Sequence, residues 1–201
     1  ADGRWSGTIP GQAANAKAVF RIEAQNLLGH TAVWPANGTA GRAMVPWNDN
    51  QGQLVRPNGA RPHNFRIVIT AADTTLLHAA NNVMSNDWIP CTVIYDEREV
   101  YYGCGVHLKG SEHGRAKVVR VGFLIRFPEE QLFLGRHNEI GIDRSGAGDQ
   151  FSQKEILVKR SMNRAGDIPC TEDDLIRVIA PQAAHTGPAI CIHNKIDSDN
   201  F

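Results

Sequence analysis

Between Val106 and Phe127 the chain reads VHLKGSEHGRAKVVRVGFLIRF, two strand-like runs around a short polar loop that ends in a basic residue. Alternation constrains this segment most. Cys104, Val106 and Leu108 share one face of the first run, and His107 and Lys109 share the other. On the return run Val119, Val121, Phe123, Ile125 and Phe127 share a face, with Arg120 and Arg126 opposite. Strand side chains repeat every two residues, so the apolar face of this hairpin calls for a core. Lys109, Arg120 and Arg126 then line the other side, and Arg115 sits at the loop end. Such a surface can receive anionic oxygens, with Gly110 and Gly114 allowing close backbone approach. Phosphoryl transfer depends on a cradle of this kind, because its catalysis is mostly positioning and charge stabilisation. A solvated basic face on an ordinary hairpin is the other reading.

The remaining chain supplies partners for the hairpin. In AKAVFRIEAQ, Ala18, Phe20, Ile22 and Ala24 fall on one face and Lys17, Arg21 and Glu23 on the other, which predicts a strand. Leu28-Gly29-His30 turns it into a partner over residues 31–34. Two strands cannot bury a core alone, so this piece either completes another β-module or packs on the C-terminal part of the chain. Residues 35–62 are rich in Pro, Gly, Asn and Gln, a linker composition. The expected organisation is the end of a β-module over residues 1–45, a linker over 46–62 and a second domain over 63–201.

That domain opens with a strand at residues 65–69, followed by a capping box, Thr70-Ala71-Ala72-Asp73, and a helix to about Met84. Residues 91–95, 100–109, 117–127 and 140–143 predict strands. Ser152-Gln153-Lys154-Glu155 is a second capping box, opening a helix that Gly166 stops. Thr171-Glu172-Asp173-Asp174 is a third, for a short helix through Ile179 that Pro181 ends, and residues 188–193 predict a last strand. Strands come first and helices follow, so the expected class is α+β, an antiparallel sheet with packed helices plus a small β remnant at the N-terminus.

Lys and Arg total 21, as do Asp and Glu, which removes any global electrostatic case for nucleic acid or an anionic membrane. No apolar run approaches the roughly 20 residues that span a bilayer. The chain opens on Ala1-Asp2-Gly3-Arg4-Trp5 and is expected to be a fragment, with any signal peptide absent or already removed. Cys91, Cys104, Cys170 and Cys191 form no C-x-x-C pair, so no zinc site is expected. Buried free thiols and one or two disulfides of an exported protein both stay open. H-E-x-x-H, G-x-S-x-G, the Walker pattern and the dinucleotide fingerprint are all missing. Asp143-Arg144-Ser145-Gly146-Ala147-Gly148-Asp149 and Asp197-Ser198-Asp199 resemble cation loops but lack EF-hand spacing, and no metal ligand is assigned. Glu155 and Lys159 form an i, i+4 pair, either surface support or a helix glutamate that instead reaches Lys109.

On these residues the chain resembles the spore-coat protein H-like (CotH) family of atypical, secreted or surface-associated protein kinases. The resemblance rests on Val106-His107-Leu108-Lys109-Gly110-Ser111, Gly114-Arg115 and Gly122-Phe123-Leu124-Ile125-Arg126-Phe127. It continues at Asp143-Arg144-Ser145-Gly146, at residues 153–159 and at Arg164-Ala165-Gly166 before Ile168-Pro169, covering roughly residues 63–196. Residues 5–34 resemble the tail of an immunoglobulin- or fibronectin-like module. Ala116-Lys117-Val118-Val119 stands where the family has paired lysines, and Lys109-Gly110-Ser111 where it has Arg-Gly-Asn.

The resemblance implies the N-terminal part of a kinase domain in which Lys109, Arg115 and Arg126 contact nucleotide and Glu155 partners the lysine. It implies ATP and Mg²⁺ as cofactors of the complete domain, with catalytic and metal-binding aspartates expected beyond Phe201. It also implies a protein substrate and an extracellular or cell-surface location. The chain alone is expected to be inactive as a kinase. A non-catalytic adhesion or assembly module is the alternative.

Overall fold

A computed structural model describes residues 4–36, 42–47, 49, 61–144, 153–166 and 172–193. Seven strands close into a barrel: β5 (His63–Val68), β6 (Ile89–Tyr95), β7 (Glu99–Lys109), β8 (Gly122–Arg126), β9 (Glu139–Asp143), β10 (Glu172–Ile179) and β11 (Gly187–His193). Around the wall they run β10-β11-β9-β8-β7-β6-β5, and β10 returns to β5 as a parallel pair. Closure removes the free edges that an open sheet would leave.

Alternation fills the interior. Phe65 and Ile67 of β5, Cys91 and Val93 of β6, Cys104, Val106 and Leu108 of β7, and Phe123 and Ile125 of β8 all point into one buried cluster. Ile140 and Ile142 of β9 and Ile176 and Val178 of β10 complete it. β7 changes phase once. Cys91 pairs with Cys104, but Val93 pairs with Tyr101, so β7 spends one extra residue between the two pairs. This β-bulge lets Tyr101 and Cys104, three apart, both face inward. Gly103 holds φ +67 there, a value that suits glycine.

Three expectations fail. The class is not α+β with packed helices: the molecule is mostly β, organised as the barrel. The acidic run read as a helix start at Thr171 leads instead into β10. Its Leu-Ile-Arg-Val-Ile core carries three β-branched residues and places Ile176 and Val178 inward by period two, and pairing with both β5 and β11 outweighs the capping signal. The first helix is also shorter than expected. Thr70 caps α1 (Ala71–Leu77), accepting from the Asp73 amide at 3.1 Å, and the helix ends at Leu77. α2 (Glu112–Arg115) is a single turn inside the β7–β8 loop. α3 (Gln153–Ala165) ends at Gly166, φ +78, as expected, and packs against β10. Its Ser152 cap, the Ser145–Asp149 stretch, Ile168-Pro169, Cys170 and Asp197-Ser198-Asp199 lie outside the described residues.

The N-terminal strand breaks at Arg21 into β1 (Lys17–Phe20) and β2 (Ile22–Gln25). β2 forms a hairpin with β3 (Thr31–Trp34), its turn held by Asn26 Oδ1 accepting from the Leu28 and His30 amides. β1 pairs with β4 (Ala43–Pro46), a strand inside the stretch of linker composition. Met44 of β4 is buried against Val68 and Ile94 on the outside of the barrel, and its amide donates to Thr92 Oγ1 at 2.9 Å. Phe20 and Trp34 each pack edge-on against Tyr102 of β7. The β1–β4 pair, too small for its own core, therefore packs on the outer wall of the barrel.

Candidate functional site

At the loop end of the β7–β8 hairpin lies a cleft of about 280 Å³. Lys109, His113, Lys117, Arg120 and Asp143 line it, around Gly110 and Ser111. The position of Lys109 depends on two glycines. A Cβ on Gly122 would stand 3.4 Å from Lys109 Cβ, and one on Gly141 would stand 3.5 Å from Lys109 Cε. The lysine stem thus lies flat over β8 and β9, and Nζ donates to Asp143 Oδ2 at 2.7 Å. His113, Lys117 and Arg120 come from the connecting loop, which leaves strand geometry until Gly122. Arg120 holds φ +61, a strained value for a side chain of its size.

Charge in the cleft is unbalanced. Among the described residues Lys109, Lys117 and Arg120 face one carboxylate, Asp143, which Lys109 already engages. Behind the cleft Arg144 is buried, donating from Nε to the Pro188 carbonyl at 3.0 Å and from Nη1 to that of His185. Gly187 makes room for this guanidinium. Burial, and then the charge of Arg120, lower the Arg144 pKa from its ordinary value. Two guanidinium groups that repel each other beside a lysine pair create a field that an anion would relieve.

Against models of protein families the chain finds no match, and no curated protein is significantly similar to it. The site therefore rests on its own geometry.

Of the three residues expected to contact nucleotide and the glutamate expected to partner the lysine, the cleft holds Lys109. Arg115 is buried behind the loop, where Nε donates to Gly110 O at 2.8 Å, Nη1 to Ser85 O at 3.0 Å and Nη2 to Asn86 Oδ1 at 2.7 Å. It shapes the loop rather than meeting a ligand. Arg126 faces a separate groove of about 500 Å³ with Trp88, its guanidinium 4.4 Å from the ring centroid. Glu155 pairs with Lys159 at 2.8 Å, and Lys159 reaches the buried Asp173 carboxylate of β10 at 2.6 Å. α3 packs on β10, three strands around the wall from β7, and Lys109 takes Asp143 instead. Strand periodicity does not single out His113 and Lys117 as ligand contacts. The one signal that points to them is their position between two strands, in a loop that carries Gly110 and Gly114.

A second cluster of titratable groups sits where α1 meets the turn before β11. His78 and His185 stack with ring centroids 4.7 Å apart. Neither His78 Nε2 nor His185 Nδ1 finds a hydrogen-bond partner among the described residues. Burial, and then the neighbouring His185, depress the His78 pKa to about 4, and burial followed by the Arg144 charge lowers His185. Both rings stay neutral in the fold while the unfolded chain takes up protons near pH 6.5. Native stability is thus full above pH 6.5 and falls as the pH drops toward 4. Allowing for solvent screening of the half-buried ring, His78 accounts for about 1–2 kcal/mol of that loss. Urea midpoints at pH 7.5 and 4.5 measure it: the drop is expected to be smaller in His78→Phe, and equal drops would remove His78 as its source.

Proposed function

We propose that the cleft at the β7–β8 loop binds the phosphate groups of a nucleotide, as the CotH-like resemblance implies for this hairpin. The observation that carries the reading is the convergence of Lys109, Lys117 and Arg120 on one concave site that has, among the described residues, a single and already engaged carboxylate. Gly110 and Ser111 offer backbone and hydroxyl groups at its wall, and the Ser111 hydroxyl makes no helix-capping bond. Hydrogen bonds from cations to phosphate oxygens are short and strong, and contribute about 1.5–3 kcal/mol each where the groups are desolvated. The reading concerns phosphate alone and assigns no catalytic base.

Titration calorimetry with ATP, tripolyphosphate and adenosine tests it. ATP and tripolyphosphate are expected to bind with comparable affinity, weakening as salt rises, while adenosine does not bind. Lys117→Ala with Arg120→Ala is expected to weaken ATP at least about tenfold, the equivalent of one charge-assisted contact. Unchanged affinity in this double variant would end the proposal.

One feature favours a non-catalytic assembly module. Leu27 and Leu28 are exposed at the tip of the β2–β3 hairpin, with Ile22 exposed along it. Under that reading Leu27→Ser with Leu28→Ser abolishes an association that ATP does not affect. No helix is long and apolar enough to cross a membrane among the described residues.

A further inference from the structure

We propose that Cys91 and Cys104 are the two ends of a cross-strand disulfide that joins β6 to β7 when the chain folds in an oxidising thiol–disulfide environment. The two are direct Cα partners, at the last regular pair before the β7 bulge. Directly opposed residues of antiparallel strands have Cα atoms about 4.5–5.5 Å apart. A disulfide spans about 4.4–6.8 Å between Cα atoms, so the register alone meets its main geometric demand. Both are free thiols that point into the same interior, both are buried, and the two contact each other. The bulge matters to the pairing. With regular alternation through residues 101–104, Tyr101 and Cys104, three apart, could not both face inward; the bulge lets Cys104 face the core opposite Cys91 while Tyr101 faces it too. Cys191 lies on β11, which pairs with neither β6 nor β7.

Burial decides when the bond forms. The attacking species is a thiolate, and burial together with the neighbouring Cys104 raises the Cys91 pKa well above the ordinary thiol range. The closed barrel therefore reacts slowly, and exchange takes place while the β6–β7 hairpin is still open during folding. One cysteine thiolate attacks a small-molecule disulfide such as oxidised glutathione, releasing one glutathione thiolate and leaving a mixed disulfide. The second cysteine thiolate attacks the protein sulfur of that intermediate and releases the second glutathione thiolate. Two protein thiols are oxidised, one small-molecule disulfide is reduced, and the two thiol protons pass to solvent. Once the barrel closes, the core keeps reductant away, so the bond is structural and not a switch.

The test is refolding of the full chain in a mixed oxidised and reduced glutathione buffer, followed by acid quenching, thiol counting in denaturant and a non-reducing peptide map. The four thiols of the chain are expected to fall to two, with one linked peptide joining Cys91 to Cys104. Protein folded first under reducing conditions and then moved to the same buffer is expected to lose its thiols at least ten times more slowly. Cys191→Ala is expected to leave the Cys91–Cys104 link intact, and the wild-type map decides the matter if that variant does not fold. Retention of all four thiols, a link that uses Cys170 or Cys191, or equal oxidation rates before and after folding would each overturn the proposal.

Discussion

Phe133→Ala is expected to destabilise the fold by about 3–5 kcal/mol, the range for removing a fully buried phenylalanine. Phe133 belongs to no strand. It sits in the turn between β8 and β9, where its amide donates to the His137 carbonyl at 2.9 Å, yet its side chain is wholly inside. Its ring meets Tyr95 and Phe127 at 5.1 Å, Tyr101 at 5.5 Å, Phe65 at 5.8 Å and His193 at 5.9 Å between centroids. These partners come from β5, β6, β7, β11 and the end of β8, so one side chain plugs one end of the barrel. Neighbours held by strand pairing relax little into the space left behind, which is why the cavity penalty adds to the lost transfer energy. Tyr101, which donates to Glu99 and accepts from the Leu134 amide, ties the same turn to β7. Urea denaturation read by fluorescence and circular dichroism measures the loss, and a loss under about 1 kcal/mol would show that the turn is not the plug. From Tyr101 to Lys109 the strand rises about 25 Å at roughly 3.3 Å per residue, so phosphate affinity of the folded variant should not change.

Gly122→Ala is expected to cost about 1–3 kcal/mol, as overpacking does, and also to weaken phosphate binding. A Cβ there would lie 2.7 Å from the Ile142 carbonyl oxygen, a backbone atom of the paired strand that cannot rotate away. The β8–β9 ladder must spread, and the Lys109 stem, 3.4 Å from the same Cβ, must lift from the sheet. Both outcomes displace Nζ from Asp143 and from the cleft. Gly141→Ala is the graded control, because its nearest neighbours, at 3.5 and 3.7 Å, are in ordinary contact. Its expected cost is below about 1 kcal/mol. If Gly122→Ala matches Gly141→Ala in stability and in tripolyphosphate affinity, the two glycines do not position the lysine.

The candidate site is legible in the sequence only in part. Lys109 and the loop glycines stand out because period-two patterning names both faces of a strand without any knowledge of its neighbours. Arg115 reads as a ligand contact because it ends a polar loop. Its partners, Ser85 and Asn86, lie about thirty positions away in the chain, and nothing local announces them. Arg126 shares a face with Lys109 in the pattern, but Trp88 draws it to another groove. Glu155 has an equally local partner in Lys159, and that pairing is the one the fold uses.

By itself the amino-acid order determined where β5 to β9 lie, the phases of β5, of β8 and of β7 from Cys104 onward, the Thr70 cap, the Gly166 stop and the absence of a global charge bias. These depend on contacts within a few residues, where sterics and periodicity act alone. Tertiary structure decided that the sheet closes, that an acidic capping pattern becomes β10, that Met44 anchors a stretch of linker composition, and which cations share a cleft. Each of those outcomes rests on pairing or burial between residues far apart in the chain, where the free energy comes from the partner and not from the segment.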